Sequence, residues 1–439
     1  MARLAVRTAR AHPGSYVVSA LVMTAGTALL TAFASLLETG LSTGRDSGFL
    51  IMLPAILGGW TVAIVAFGVV STVSLTVQHR ERELALLRLI AATPRQIRRI
   101  VMLETLVAAV PGVVAGLLPG VALGAIVLGR LVDAGLVGAT VELRAGWLCA
   151  AIGAGTSLLA AVAAAAISSR RAASVPPARA LMEAAPSPAR NLSRARVAGG
   201  FGLLALGMSL ATATLFMADG PLLSSTAGPA GVAVAVGLAL LGPIVIRPIG
   251  RLTQAGVGAT ARLAARNLHA GARQSGSVLS PLILLVGIAA GTLYMQSTED
   301  STHRTTESTQ LAPVNYLVVT MIIGFTAIVV INTLVATTRA RRREFGLLRL
   351  TAATRGQVLG LVAIEAVLTS GIAVVLGTVA AAATTVPYSL VKTGSPIASG
   401  PPWMYVAIAG GAFLLALLAA LPTAMGALRV RPIVAATAM

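Results

Sequence analysis

Glu104 and Glu365 are the two residues whose type and position could do chemistry, because each carboxyl group falls about one turn inside a long apolar run. A carboxylate in such a place carries a proton, binds cargo or neutralises a neighbouring cation. Arg98 and Arg99 are the nearby cations, so a structural ion pair is expected, with a proton or substrate role as the alternative. No other catalytic chemistry is legible. The four histidines do not cluster, no metal-ligand spacing occurs, and no Ser–His–Asp arrangement can be built. The only cysteine, Cys149, sits in an apolar run, where a small buried residue is the expectation. The only lysine, Lys392, lacks the glycine-rich lead of a phosphate-binding loop, whose lysine must reach the terminal phosphates. The chain is therefore expected to have no catalytic residues, no metal and no ATPase site of its own.

The more informative residues are arginines. Residues 82–96 read RELALLRLIAATPRQ and residues 343–357 read REFGLLRLTAATRGQ, with ten of 15 positions identical at a constant offset of 261. Glu104 and Glu365 keep that offset. The apolar residues of the first string, Leu84, Leu86, Leu87, Leu89 and Ile90, suit a short helix packed against membrane-span ends. Its arginines, Arg82, Arg88 and Arg95, suit headgroups and water. Such an element can transmit a push from a soluble partner, whereas setting topology alone would need the charges but not the repeated pattern. A repeat of this kind implies two homologous halves.

The surrounding elements are membrane spans. Hydrophobic residues make up 56% of the chain and charged residues 11%, against roughly 25% charged in soluble domains. Ten apolar stretches are long enough to cross a bilayer: approximately 15–37, 51–77, 101–129, 147–168, 198–217, 229–249, 277–297, 316–338, 358–385 and 403–427. The first is too long for a signal peptide and no small-residue cleavage site follows, so it reads as an anchor that stays.

The net charge of +19 would point to nucleic acid in a soluble protein. Here the cations lie in alternate connections, which excludes that reading. All 33 fall on one side except Arg45, Arg130, Arg144, Arg304 and Lys392. The other side carries Glu38, Asp46, Asp133, Glu142, Asp219, Glu299, Asp300 and Glu307. By the positive-inside rule the arginine side, with both termini, is cytoplasmic.

The fold expected is all-α: a polytopic membrane protein with two parallel four-helix repeats. The first repeat spans 1–181. A Pro/Ser/Arg cytoplasmic linker follows at 182–197, then two linker helices within 198–249, then the second repeat at 250–439. LAVRTARAHPGS at 4–15 and LAARNLHAGARQ at 263–274 are matching entry segments. The connections opposite the arginines, 38–50 and 298–315, are too short for folded domains.

A run of the form R-E-φ-[GA]-φ-L-R-φ-φ-A-A-T-x-x-Q, inside the second span of a four-span unit, resembles the FtsX-like ABC transporter permeases. The ten-span form is most similar to bacitracin-exporter permeases. Ala91 and Ala352 stand where that family usually has glycine, and the large external domain of its members is missing. The resemblance implies ATPase coupling through Arg82, Glu83, Arg88, Ala92, Thr93 and Gln96, and through Arg343, Glu344, Arg349, Ala353, Thr354 and Gln357. It implies no cofactor on this chain, with ATP and Mg held by two copies of a cytosolic ABC ATPase. It also implies a multi-pass protein of the bacterial cell membrane, in contact with membrane lipid. The expected function is export or extraction of a lipophilic or amphipathic compound, such as an antibiotic, peptide or lipid. The alternative is a non-transporting signalling permease coupled to a sensor kinase or a cell-wall hydrolase.

Overall fold

A computed structural model describes residues 13–43, 48–80, 84, 86, 93–174, 194–252, 263–264, 267, 272–302 and 306–430. The described residues are helical with short connections and no strand. Ten helices are long and apolar enough to cross a membrane. Helices are the expected solution, because lipid offers the backbone no hydrogen-bond partners and a helix satisfies its own.

In chain order α1 is Pro13–Thr43. Next, α2 runs Gly48–Leu53, passes a π-helical turn at Pro54–Gly58 and continues over Gly59–His79. The turn begins at a proline, which has no N–H to give the ladder. Then follow α3 (Pro94–Asp133), α4 (Trp147–Ser174), α5 (Arg194–Thr214) and α6 (Pro221–Leu252). The second half holds α7 (Ala272–Thr302), α8 (Thr306–Ala340), the short α9 (Arg342–Leu350), α10 (Arg355–Thr393) and α11 (Pro402–Leu428). Several helices overrun their predicted spans, α8 most of all. Polar and small residues continue the turn where hydropathy stops. The polar stretch 298–315, read from the sequence as a connection between spans, is mostly helix, with only 303–305 undescribed between α7 and α8.

The chain divides into two compact units. One comprises Met1–Arg190 with His303–Ile328, the other Asn191–Thr302 with Val329–Met439. In the first unit α1 packs along α3 and α4, and α4 also packs on α2. Four glycines of α3, Gly112, Gly116, Gly120 and Gly124, recur every fourth residue and so share one face. This stripe lies directly on α1. A Cβ at Gly116 would stand 2.5 Å from the Thr24 carbonyl oxygen, and one at Gly120 would stand 2.7 Å from that of Ala28. Glycine is required there by proximity, and close backbone approach is how helices associate in lipid.

In the second unit α7 packs along α10, α10 against α11, and the α5–α6 pair against α7 and α10. The offset of 261 places Ala373, Gly377, Ala381 and Thr385 on α10 where α3 has its glycines. Of these only Gly377 is glycine, and its Cβ would meet the Val286 Cβ at 2.6 Å.

The ends away from the arginines share two devices. Thr39 accepts a hydrogen bond from the backbone N–H of Arg144 at 3.0 Å, just before α4. Thr298 accepts one from Ser399 at 3.1 Å, just before α11. Each fourth helix of a repeat then opens on an exposed tryptophan, Trp147 or Trp403, the residue type that favours a membrane–water interface.

Candidate coupling site

The second copy of the arginine string shows how the element is built. After α8 the chain turns at Arg341 and forms α9, which buries Phe345 and Gly346 and exposes Arg342, Arg343, Leu347 and Leu350. Arg341 is the fastener. Its guanidinium donates to both Glu344 oxygens at 2.8 Å. It also pairs with Glu365 on α10 and lies 5.4 Å from the centre of the Phe345 ring. Asn267 donates to the same Glu365 at 2.9 Å. Burial opposes the charge on Arg341, but hydrogen bonds to Glu344 and Glu365 outweigh it and raise its pKa, so the guanidinium stays charged. Arg349 donates to the Leu428 carbonyl at 3.2 Å, tying α9 to the end of α11.

The end of α9 explains why glycine suits position 352. The Ala353 N–H bonds to the Leu348 carbonyl at 3.1 Å, closing a Schellman-type cap. Ala352, between Thr351 and Ala353, has φ +68, the only positive φ at a non-glycine residue among those described. An L-residue with a Cβ is strained there by about 1–2 kcal/mol. Thr354 then starts α10: its hydroxyl accepts from the Gln357 N–H at 3.2 Å, while the Gln357 side chain accepts from the Thr354 N–H at 2.8 Å. This is a reciprocal capping box.

Among the described residues, the first unit repeats the ion pair and the capping box. Arg80 pairs with Glu104 at 2.5 Å, with both side chains under one-fifth exposed. Thr93 and Gln96 form the same capping box at the start of α3. Arg80 and Arg341 differ by 261, as do Glu104 and Glu365. The Arg80–Glu104 pair sits in a cleft whose walls include Ser19, Met23, Thr76, Leu84 and Val101.

The carboxylates therefore do form ion pairs, but not with the arginines expected. Arg98 and Arg99 lie on the same helix as Glu104 and stay exposed. Residues five and six apart on an α-helix do not share a face; only those three or four apart do. The partner comes from the end of the preceding span. The signal was available, since extending the repeated string two residues upstream reaches Arg80 and Arg341. The capping boxes were also legible, as T-x-x-Q before an apolar run.

Of the residues assigned to coupling, Arg82, Glu83, Arg88 and Ala92 lie outside the described residues. Thr93, Gln96, Thr354 and Gln357 are exposed and cap helices. Ala353 closes the α9 cap, and Glu344 and Arg349 hold α9 in place. Arg343 points outward. The described residues contain no group of histidine, cysteine and carboxylate side chains able to hold a metal.

A comparison with curated proteins finds no match. A family model, FtsX-like permease C-terminal, matches residues 55–177 and again 316–432. The first stretch covers most of α2 through α4, the second most of α8 through α11, and each contains one arginine string and its carboxylate partner. With more than half of its length matched in two stretches, this chain belongs to the FtsX-like permeases, multi-pass membrane subunits of ABC transporters that work with an ATPase partner.

Proposed function

We propose that this permease exports or extracts a lipophilic or amphipathic compound, powered by two copies of a separate cytosolic ATPase carrying ATP and Mg. The observation that supports coupling is α9. It is short, pinned by Arg341 to α10 and by Arg349 to α11, and it presents Arg343, Leu347 and Leu350 outward. A partner pressing on that face would push two spans at once without bending α9. The 82–96 string would do the same for α2 and α3. The arginine ends of the spans would then face the cytosol, as the positive-inside rule requires.

The substrate class rests on the opposite end. Only residues 44–47 separate α1 from α2, and only 303–305 separate α7 from α8. No domain fits in either gap to collect a water-soluble cargo. A compound already dissolved in the bilayer needs none, since it can enter sideways between spans.

The test is co-expression with the cognate ABC ATPase, followed by reconstitution in vesicles. Leu347→Glu and Arg343→Glu should each reduce ATPase co-purification and abolish ATP-dependent movement of a lipophilic probe, while the permease still inserts. Wild-type co-purification and transport in both variants would refute α9 as the docking element. ATP turnover with no movement of any amphipathic probe would favour the signalling reading instead.

A further inference from the structure

Lys392, the only lysine of the chain, lies on the last turn of α10 with its side chain 4% exposed. Its ammonium is 2.6 Å from Asp219 Oδ1 and 2.9 Å from Glu299 Oε2. It also stands 5.9 Å from the centre of the Tyr388 ring, one helical turn earlier. The Tyr388 hydroxyl donates to Glu299. Asp219 belongs to the short connection between α5 and α6, Glu299 to the last turn of α7, and Tyr388 and Lys392 to α10. Three segments of the second unit thus converge on one ammonium. Beneath it Tyr388 packs with Leu223 and Ala227 of α6 in a buried apolar cluster bordered by Met217, Met295 and Val391.

Every other cation in the chain is arginine. A lysine here has a physical reason. Its ammonium is a compact point charge with three rotatable donors, able to serve two carboxylates from different directions, whereas guanidinium is a planar fork. Removing the cation from such a site leaves acids without their counter-charge, which costs far more than an exposed pair. The two arms differ in strength, because Asp219 is 43% exposed and Glu299 30%.

We propose that Lys392 is a latch that fastens the α5–α6 hairpin to α7 and α10, making the hairpin one body with the second unit. The latch has a weak arm, Asp219, by which the hairpin is released, and a strong arm, Glu299, which holds α7 to α10. In the first half, the corresponding end of α1 carries Glu38, which accepts from the Gly146 and Cys149 N–H groups at the start of α4.

The test uses the full chain in lipid nanodiscs, with Cys149→Ser removing the native thiol. A single cysteine replaces Ala227, which is fully buried on the face of α6 that the hairpin packs against Tyr388. A control cysteine replaces Ala161, equally buried in α4 of the first unit. Lys392→Met should raise the maleimide labelling rate at 227 by about tenfold through local opening, and leave the rate at 161 unchanged. Asp219→Asn, a mild change in an exposed loop, should raise the rate at 227 by a smaller factor. Unchanged labelling at 227 in both variants would overturn the latch. Equal increases at 227 and 161 would overturn it too, since they would make Lys392 a general stabiliser of the whole chain.

Discussion

The two units are most alike where their arginines are and least alike along their central helix pair. At the arginine ends, the Arg80–Glu104 and Arg341–Glu365 pairs recur at one offset, and so do the Thr93–Gln96 and Thr354–Gln357 capping boxes. Along the helix pair the units diverge. In the first, α3 lays four glycines on the α1 backbone, while α10 offers Ala373, Gly377, Ala381 and Thr385 to its own surroundings. The difference teaches where the constraint lies. On the proposed reading, two ends that dock two copies of one ATPase would present the same geometry twice. The helix pair inside each unit must only fill its own space, and either backbone contact or small side chains can do that.

The sharpest way to break this comparison is to place a large side chain in each seam. Gly120→Leu should leave little monodisperse protein, because even a Cβ there would sit 2.6 Å from the Thr31 Cβ and two backbones would have to part. Ala381→Leu should be milder, since that seam already accommodates a Cβ. Size-exclusion yield in detergent separates the two. Equal yields would mean that the seams are equivalent after all.

The ion pairs should be equivalent where the seams are not. Glu104→Ala and Glu365→Ala should each destabilise by roughly 2 kcal/mol, below the range for fully buried pairs because the side chains remain partly exposed. Thermal unfolding in nanodiscs measures both, and a gap well beyond experimental error would show that the arginine ends differ. The conservative Glu→Gln variants sharpen the question of role. If they keep thermal stability but lose ATP-driven transport, the carboxylates move protons. If stability and transport fall together, they are fasteners.

A smaller effect is expected at the capping boxes, where Thr93→Ala and Thr354→Ala should each cost about 1 kcal/mol. Hydrogen exchange in the first turns of α3 and α10 should rise by similar factors. The smallest change should be a gain. Ala352→Gly removes a Cβ from the left-handed region and should stabilise the α9–α10 corner by about 1 kcal/mol. If it does not, the corner is held by its neighbours and not by the local backbone.

Much of the molecule was legible before any coordinates. The apolar spans, the paired arginine strings and the intramembrane glutamates follow from composition and spacing, because a bilayer forces long apolar helices and a repeated string exposes itself by its own offset. The same letters also held the capping boxes, since T-x-x-Q is a local pattern that needs only four consecutive residues. The repeat offset also marked Arg80 and Arg341, but packing decided that these arginines meet the glutamates, because Arg80 caps α2 and Glu104 lies on α3, while Arg98 and Arg99 are exposed elsewhere on α3. Tertiary structure alone brought Lys392, Asp219, Glu299 and Tyr388 together from three separate segments, which hydropathy had left as an unremarkable outer connection. Spacing along a chain determines what a helix can present on each face; what meets that face depends on packing between segments distant in sequence, and no local pattern records it.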